Sequence, residues 1–175
     1  MILILDNFLS LTECKDLIKI YKQNKHLAHR WPPQNKDTRD LISLSKEYKL
    51  YATGPASYPI NFNKLSHPLV GNVIDRMNSR AHQYFGSKVV MGWGELKKHE
   101  KGSIHPLHLD TSDKANLASI TYLHSLTSGY TFFEDGTQVT PRAGRIVFFH
   151  GKKYKHGMTI PRKDRYTIPV WWTLP

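Results

Sequence analysis

The sequence predicts a mainly β domain, a sandwich or jelly roll, with two helices packed on the outside of one sheet. The first observation is a change of character after Gly86. Short segments then follow one another: "KVVMGWGELKKHE", "IHPLHLD", "LASITYLHSL", "YTFFEDG", "QVTPRAG", "RIVFFHG", "KHGMTIP" and "RYTIPVWWTL". Each is rich in β-branched and aromatic residues and bounded by Gly, Pro or Asp, the spacing of an all-β fold. The second observation is a pair of helical patterns before Gly86. The third is size: 175 residues, 39% hydrophobic, suffice for one buried core, and no internal repeat or low-complexity tract divides the chain. We therefore read one domain over 1–175, with 1–86 as helical support and loop and 87–175 as the jelly-roll core.

The elements follow in order. "ILIL" reads as a short buried strand. "SLTECKDLIKIYKQN" reads as a helix, with Ser10 as N-cap and Glu13 completing a capping box. Leu11, Cys14, Leu17, Ile18 and Tyr21 share one face of it, which makes Cys14 a small core residue rather than a nucleophile. Residues 27–63, with "RWPPQNKDTRD" and "YATGPASYPINF", carry loop signals, and so long a loop could serve as a lid or substrate surface. "SHPLVGNVIDRMNSRAHQYFG" is a second helix, with Ser66 as cap, Pro68 in the first turn and Gly86 as stop. Leu69, Val73, Met77 and Tyr84 mark its core face, and His67 and His82 read as helix-surface residues.

Composition narrows the class. The longest apolar runs fall well short of the roughly 20 residues a membrane span needs. The opening "MILILDNFLS" lacks a basic leader and a cleavage site, and one cysteine allows no internal disulfide. These features point to a cytoplasmic protein. A net charge of +11 would favour polyanions or acidic protein surfaces electrostatically. No nucleic-acid recognition motif accompanies that charge.

The chemistry concentrates in "HPLHLDTS", residues 105–112. On a strand, side chains two apart share a face, so His108 and Asp110 point together while Leu107 and Leu109 point away. His105 has the wrong parity, and Pro106 disturbs the strand between them. A third ligand must come from another strand, and His124, His150 and His156 are the candidates. Two histidines and one carboxylate on one side of a metal leave the opposite positions open, as in non-haem Fe(II) oxygenases. A structural zinc would want four protein ligands, preferably cysteines. Such an oxygenase also needs a grip on a dicarboxylate. Arg165 begins the last strand and Thr167 shares its face, so a guanidinium fork and a hydroxyl could hold a carboxylate together.

These pieces together resemble the 2-oxoglutarate- and Fe(II)-dependent dioxygenases of the prolyl 4-hydroxylase type, over most of the chain. "ILDNFLSLTECKDLI" resembles that family's opening strand and helix. "KGSIHPLHLD" resembles its glycine, five residues, then His-x-Asp. "ITYLHSLTSGYTFFEDG" resembles its Tyr-Leu strand end, glycine turn and aromatic strand. "VTPRAGRIVFF" resembles its Pro-x-x-Gly-Arg entry to a buried strand. "KHGMTIPRKDRYTIPVWW" resembles its distal histidine, an arginine nine residues later and a closing tryptophan.

The resemblance implies a double-stranded β-helix with Fe(II) near one open end. It implies His108, Asp110 and His156 as iron ligands. Arg165 and Tyr122 would bind the distal carboxylate of 2-oxoglutarate, with Thr167 beside them. Thr131 and Trp171 match pocket-lining positions, His99 is a further candidate for the pocket, and ascorbate is a candidate reductant. Two features depart from the family pattern. "LKKHEKG" replaces a segment that often holds a tyrosine, which bears on the substrate side of the pocket. The usual double glycine is Ser128-Gly129. Asp110 is retained, which argues against a halogenase.

The implied activity is hydroxylation of a C–H bond, with a prolyl or other residue of a protein or peptide as target. Oxidative demethylation of nucleic acid is the alternative, supported by charge and by Trp31 and Trp93 as stacking surfaces. A catalytically silent metal-binding interaction module is the third reading. The oligomeric state stays open.

Overall fold

A computed structural model describes residues 1–30, 55–110 and 117–173. The two expected helices form. α1 spans Leu11–Gln23, and its capping box is present: Ser10 Oγ accepts from the Glu13 amide while Glu13 accepts from the Ser10 amide. Cys14, Leu17 and Tyr21 are buried as expected. Leu11 instead is 65% exposed. Helical side chains lean toward the N-terminus, so a residue in the first turn reaches past the core. α2 spans Pro68–Phe85, and its cap is His67, not Ser66: His67 Nδ1 accepts from the Leu69 amide at 3.1 Å. Its buried face is Val70, Val73, Met77 and Ala81. That row follows the 3.6 period more closely than the expected one, so Leu69 is only half-buried and Tyr84 is exposed.

Ten strands are described: β1 (Leu3–Leu5), β2 (Ser57–Asn61), β3 (Val90–His99), β4 (His105–His108), β5 (Leu117–Tyr122), β6 (Thr131–Phe133), β7 (Gln138–Val139), β8 (Ile146–Phe149), β9 (His156–Met158) and β10 (Arg165–Thr173). They make a six-stranded sheet in the order β1-β8-β5-β10-β3-β2 and a four-stranded sheet in the order β4-β9-β6-β7. From β3 to β10 the chain passes back and forth between the two sheets, and every recorded pairing is antiparallel. This is the double-stranded β-helix. β1 and β2 extend the larger sheet at its two edges. β1 is an edge strand with Ile4 exposed, less buried than "ILIL" suggests. β2 corrects the reading of 27–63 as wholly irregular, because Ser57–Asn61 pairs with β3. Pro59 sits there without strain because an edge strand has one side free of ladder bonds. The expected lid and Trp31 lie largely within 31–54, outside the described residues.

Strand parity divides the larger sheet. Leu96, Leu117, Ile146, Phe148, Ile168, Val170 and Trp172 turn outward and pack under the buried faces of α1 and α2. Ala118, Tyr122, Val147 and Phe149 turn inward, toward Phe133 and Val139 of the smaller sheet. The helices thus seal one face of the sheet and leave the other to line the space between the sheets. No helix among the described residues is long and apolar enough to cross a membrane.

Candidate metal centre and carboxylate pocket

His108 ends β4, Asp110 lies two residues beyond it, and His156 starts β9. The two strands pair with His108 opposite His156. One potential ligand atom from each of the three residues lies within 4.8 Å of the others, the only such cluster among the described residues. Asp110 Oδ1 is 3.9 Å from His108 Nε2 and 3.8 Å from His156 Nε2, too far for hydrogen bonds.

The far side of each imidazole explains this spacing. His108 Nδ1 donates to the Pro106 carbonyl at 2.9 Å, and His156 Nδ1 donates to the Tyr154 carbonyl at 3.2 Å. A carbonyl accepts only, so in the neutral ring the proton sits on Nδ1 and Nε2 carries a bare lone pair. Burial pulls the His156 pKa down to about 4, His108 adding to that and Asp110 opposing it. His156 is therefore neutral near pH 7. Asp110 Oδ2 is buried with no hydrogen-bond partner. Two imidazole Nε2 atoms and one carboxylate converge, which is the donor set a divalent cation satisfies.

Of the other candidate third ligands, neither joins. His124 Nε2 accepts from the Tyr166 amide at 3.1 Å, and His150 lies edge-on to Phe85 of α2 at 5.8 Å. Both therefore serve packing on the helix side. His105 differs from expectation. β4 shifts register between its pairings to Met158 and to His156, and this brings the His105 ring within 4.5 Å of the His108 ring. The irregularity at Pro106 undoes the parity argument. His99 follows at 6.0 Å from His105. Burial first, then neighbouring charges, keep both His99 and His105 well below the ordinary histidine pKa.

Arg165 is 2% exposed and pairs in register with His99. Its Nη2 donates to Thr131 Oγ1 at 3.0 Å and its Nη1 to Met158 Sδ at 3.1 Å, while Nε has no partner. Tyr122 OH donates to the same Thr131 oxygen at 2.6 Å, and the guanidinium lies 5.2 Å from the centre of the Tyr122 ring. Gly129, at φ 68°, makes room for this: a Cβ there would stand 3.2 Å from Arg165 Cδ. Burial lowers the Arg165 pKa, yet an arginine stays charged in a protein. No acidic side chain pairs with it among the described residues. A buried, unpaired cation with an idle donor is costly unless an anion joins it. Thr131 Oγ1 already receives two donors, so its own proton is available to a further acceptor.

Thr167 is buried on the same face, opposite Tyr122 in register. Trp171 is half-buried and stacks on Trp93 at 4.8 Å. Lys97 Nζ stands 3.0 Å from Glu95 Oε2 and 5.7 Å from the Trp171 ring centre. The sequence reading missed Glu95, Lys97 and His105. The signal for two of them was present: Trp93, Glu95, Lys97 and His99 alternate with period two along β3.

No family model matches the sequence, and no curated protein matches it. Solved structures do. A prolyl-4-hydroxylase from Pseudomonas putida superposes with a TM-score of 0.71 at 14% identity, over 99% of this chain and 92% of that one. A prolyl hydroxylase from Trichoplax adhaerens, in complex with a hypoxia inducible factor oxygen degradation domain peptide fragment, gives 0.73 at 13%, over 99% and 83%. The non-heme alpha ketoglutarate dependent epimerase SnoN from nogalamycin biosynthesis gives 0.70 at 14%, over 98% and 78%. The chain has the double-stranded β-helix fold of the 2-oxoglutarate- and iron-dependent oxygenases along nearly its whole length.

Proposed function

We propose that the protein is a 2-oxoglutarate- and Fe(II)-dependent dioxygenase that hydroxylates a C–H bond of a prolyl or other residue in a protein or peptide. The observation that carries this is the pairing of two features. One is a two-histidine, one-carboxylate cluster with its imidazoles held by backbone carbonyls. The other is a buried arginine that lacks an acidic partner. His108, Asp110 and His156 would hold the iron. Arg165 would take the distal carboxylate of 2-oxoglutarate, with Thr131 and Tyr122 orienting the guanidinium and Thr167 beside them. Bound iron would activate dioxygen, the oxidant, with 2-oxoglutarate giving up two electrons as it becomes succinate and carbon dioxide, and the protein supplies binding and orientation. Tyr122, whose pKa burial raises, keeps its proton and acts as a donor. His99 and His105, neutral, form the next part of the wall, and the Trp93–Trp171 stack offers a flat apolar surface.

A protein or peptide substrate is supported by the Trichoplax neighbour, which holds a peptide fragment. The epimerase neighbour makes the reaction itself a matter for experiment. The test is incubation with Fe(II), 2-oxoglutarate and ascorbate against a panel of proline-containing peptides. Succinate release coupled to the gain of one oxygen in a peptide is expected. Turnover with methylated oligonucleotides alone would replace the peptide reading by the demethylase one, which the net charge of +11 favours. No turnover of 2-oxoglutarate with any substrate would point to a silent binding module.

A further inference from the structure

We propose that the β8–β9 turn, residues 150–155, sets the geometry of the metal centre, with Gly151 as a positioning residue for Asp110. The inference rests on the metal site proposed above. Asp110 lies beyond the end of β4, so no strand ladder fixes its side chain. The turn does so instead. The Asp110 amide donates to the Gly151 carbonyl at 3.0 Å, which holds the two backbones together. The carboxylate then lies directly over the Gly151 α-carbon. A Cβ on residue 151 would clash with Asp110 Oδ2 and stand 2.8 Å from its Cγ and 3.0 Å from its Cβ. Rotating the carboxylate alone cannot relieve contacts that reach back to Cβ, and the backbone hydrogen bond prevents the segments from parting. Relief needs Asp110 or the turn to shift, and either disturbs the placing of the carboxylate beside the two histidines.

The same turn supports the second ligand. Its own shape is fixed by the His150 carbonyl, which accepts from the Lys153 amide at 3.0 Å and the Tyr154 amide at 2.9 Å. That places the Tyr154 carbonyl to accept from His156 Nδ1. One turn therefore makes room for the carboxylate and fixes the tautomer of an imidazole. Gly151 has an ordinary negative-φ backbone, so nothing in its conformation demands glycine. The demand comes from the ligand above it.

The experiment uses cobalt(II) as probe on the full chain, with Gly151→Ala, Asp110→Ala and the double variant. Binding is read by visible absorption of the cobalt and by calorimetry. Apo stability is read by urea unfolding. Gly151→Ala is expected to weaken cobalt binding on the order of 10- to 100-fold and to change its absorption spectrum, the scale set by groups that orient metal ligands. It should also lower the apo unfolding midpoint, and that drop should vanish in the Asp110→Ala background, where the clashing carboxylate is gone. Wild-type cobalt affinity in a folded Gly151→Ala protein would overturn the proposal. So would an equal loss of stability in both backgrounds, which would make Gly151 merely structural. A wild type that binds no cobalt would sink the metal-site reading itself, and the unfolding comparison would still decide whether Gly151 makes room for Asp110.

Discussion

Arg165→Met should move stability and ligand binding in opposite directions. In the ligand-free protein Arg165 is a buried cation with an idle Nε and no acidic partner among the described residues. Holding such a charge out of water costs several kcal/mol. Its hydrogen bond to Thr131 and its contact with the Tyr122 ring offset about 2–3 kcal/mol of that. Methionine fills a similar volume without a charge, and Tyr122 OH keeps its bond to Thr131. The apo variant should therefore be more stable by about 1–3 kcal/mol. For a chain of this size that is a rise in Tm of about 2–4 °C per kcal/mol. Saturating 2-oxoglutarate with metal should stabilise the wild type, by about 2.7 kcal/mol at a hundred times Kd. The variant should lose about 2–4 kcal/mol of that binding, a fall in affinity of about 30- to 1000-fold. Thermal unfolding with and without 2-oxoglutarate and a redox-inert divalent metal measures both quantities. An apo variant destabilised by more than about 2 kcal/mol would make Arg165 a structural residue and refute the reasoning. Undiminished stabilisation by 2-oxoglutarate would refute its place in the carboxylate pocket.

Other predictions are simpler. Ser10→Ala removes one half of a capping box and should cost about 1 kcal/mol by urea unfolding, leaving metal binding unchanged; no loss would show the cap to be idle. Cys14 is buried and its pKa is pushed up to about 11 by burial, so a thiol reagent near neutral pH should label it only after denaturation. Rapid labelling of native protein would contradict its place in the core. Asp6 has a lowered pKa, through its hydrogen bond from Arg145 first. Its contribution is present above the unfolded carboxylate pKa and fades as the pH falls through the folded one. Because Asp6 is largely exposed, Asp6→Asn should remove no more than about 1 kcal/mol, and only above that range, as a pH series of unfolding midpoints would reveal. A loss that persists at low pH would assign the effect to something other than charge.

The sequence made the strands after Gly86 legible because each is short, apolar and closed by Gly, Pro or Asp, so period and punctuation agree. His108 and Asp110 followed from parity. His156 and Arg165 followed from their place in the last hairpin together with the family resemblance. What escaped lies where parity fails or distant chain segments meet. His105 reaches the site because β4 shifts register at Pro106, which no pattern of two reveals. Glu95 and Lys97 were within reach of the alternation along β3, but a Lys–Glu pair reads as solvent surface until β10 is laid beside it. Ser66 lost the cap to His67 because either residue can accept from a first-turn amide, and only the turn before Pro68 decides between them. β2 was hidden in a stretch of turn-forming residues, since an edge strand tolerates Pro59. Gly151 carried no signal at all, because its need for a missing side chain exists only once Asp110 lies over it.

The central claim is that three side chains bind iron in a pocket that also binds 2-oxoglutarate. Anaerobic titration of the purified protein with Fe(II) and 2-oxoglutarate, following the visible charge-transfer band of the chelate, tests it most directly. The account predicts a band in the wild type, its loss in His108→Ala, and a need for far more 2-oxoglutarate to reach it in Arg165→Met. A folded wild type that develops no band would contradict the account.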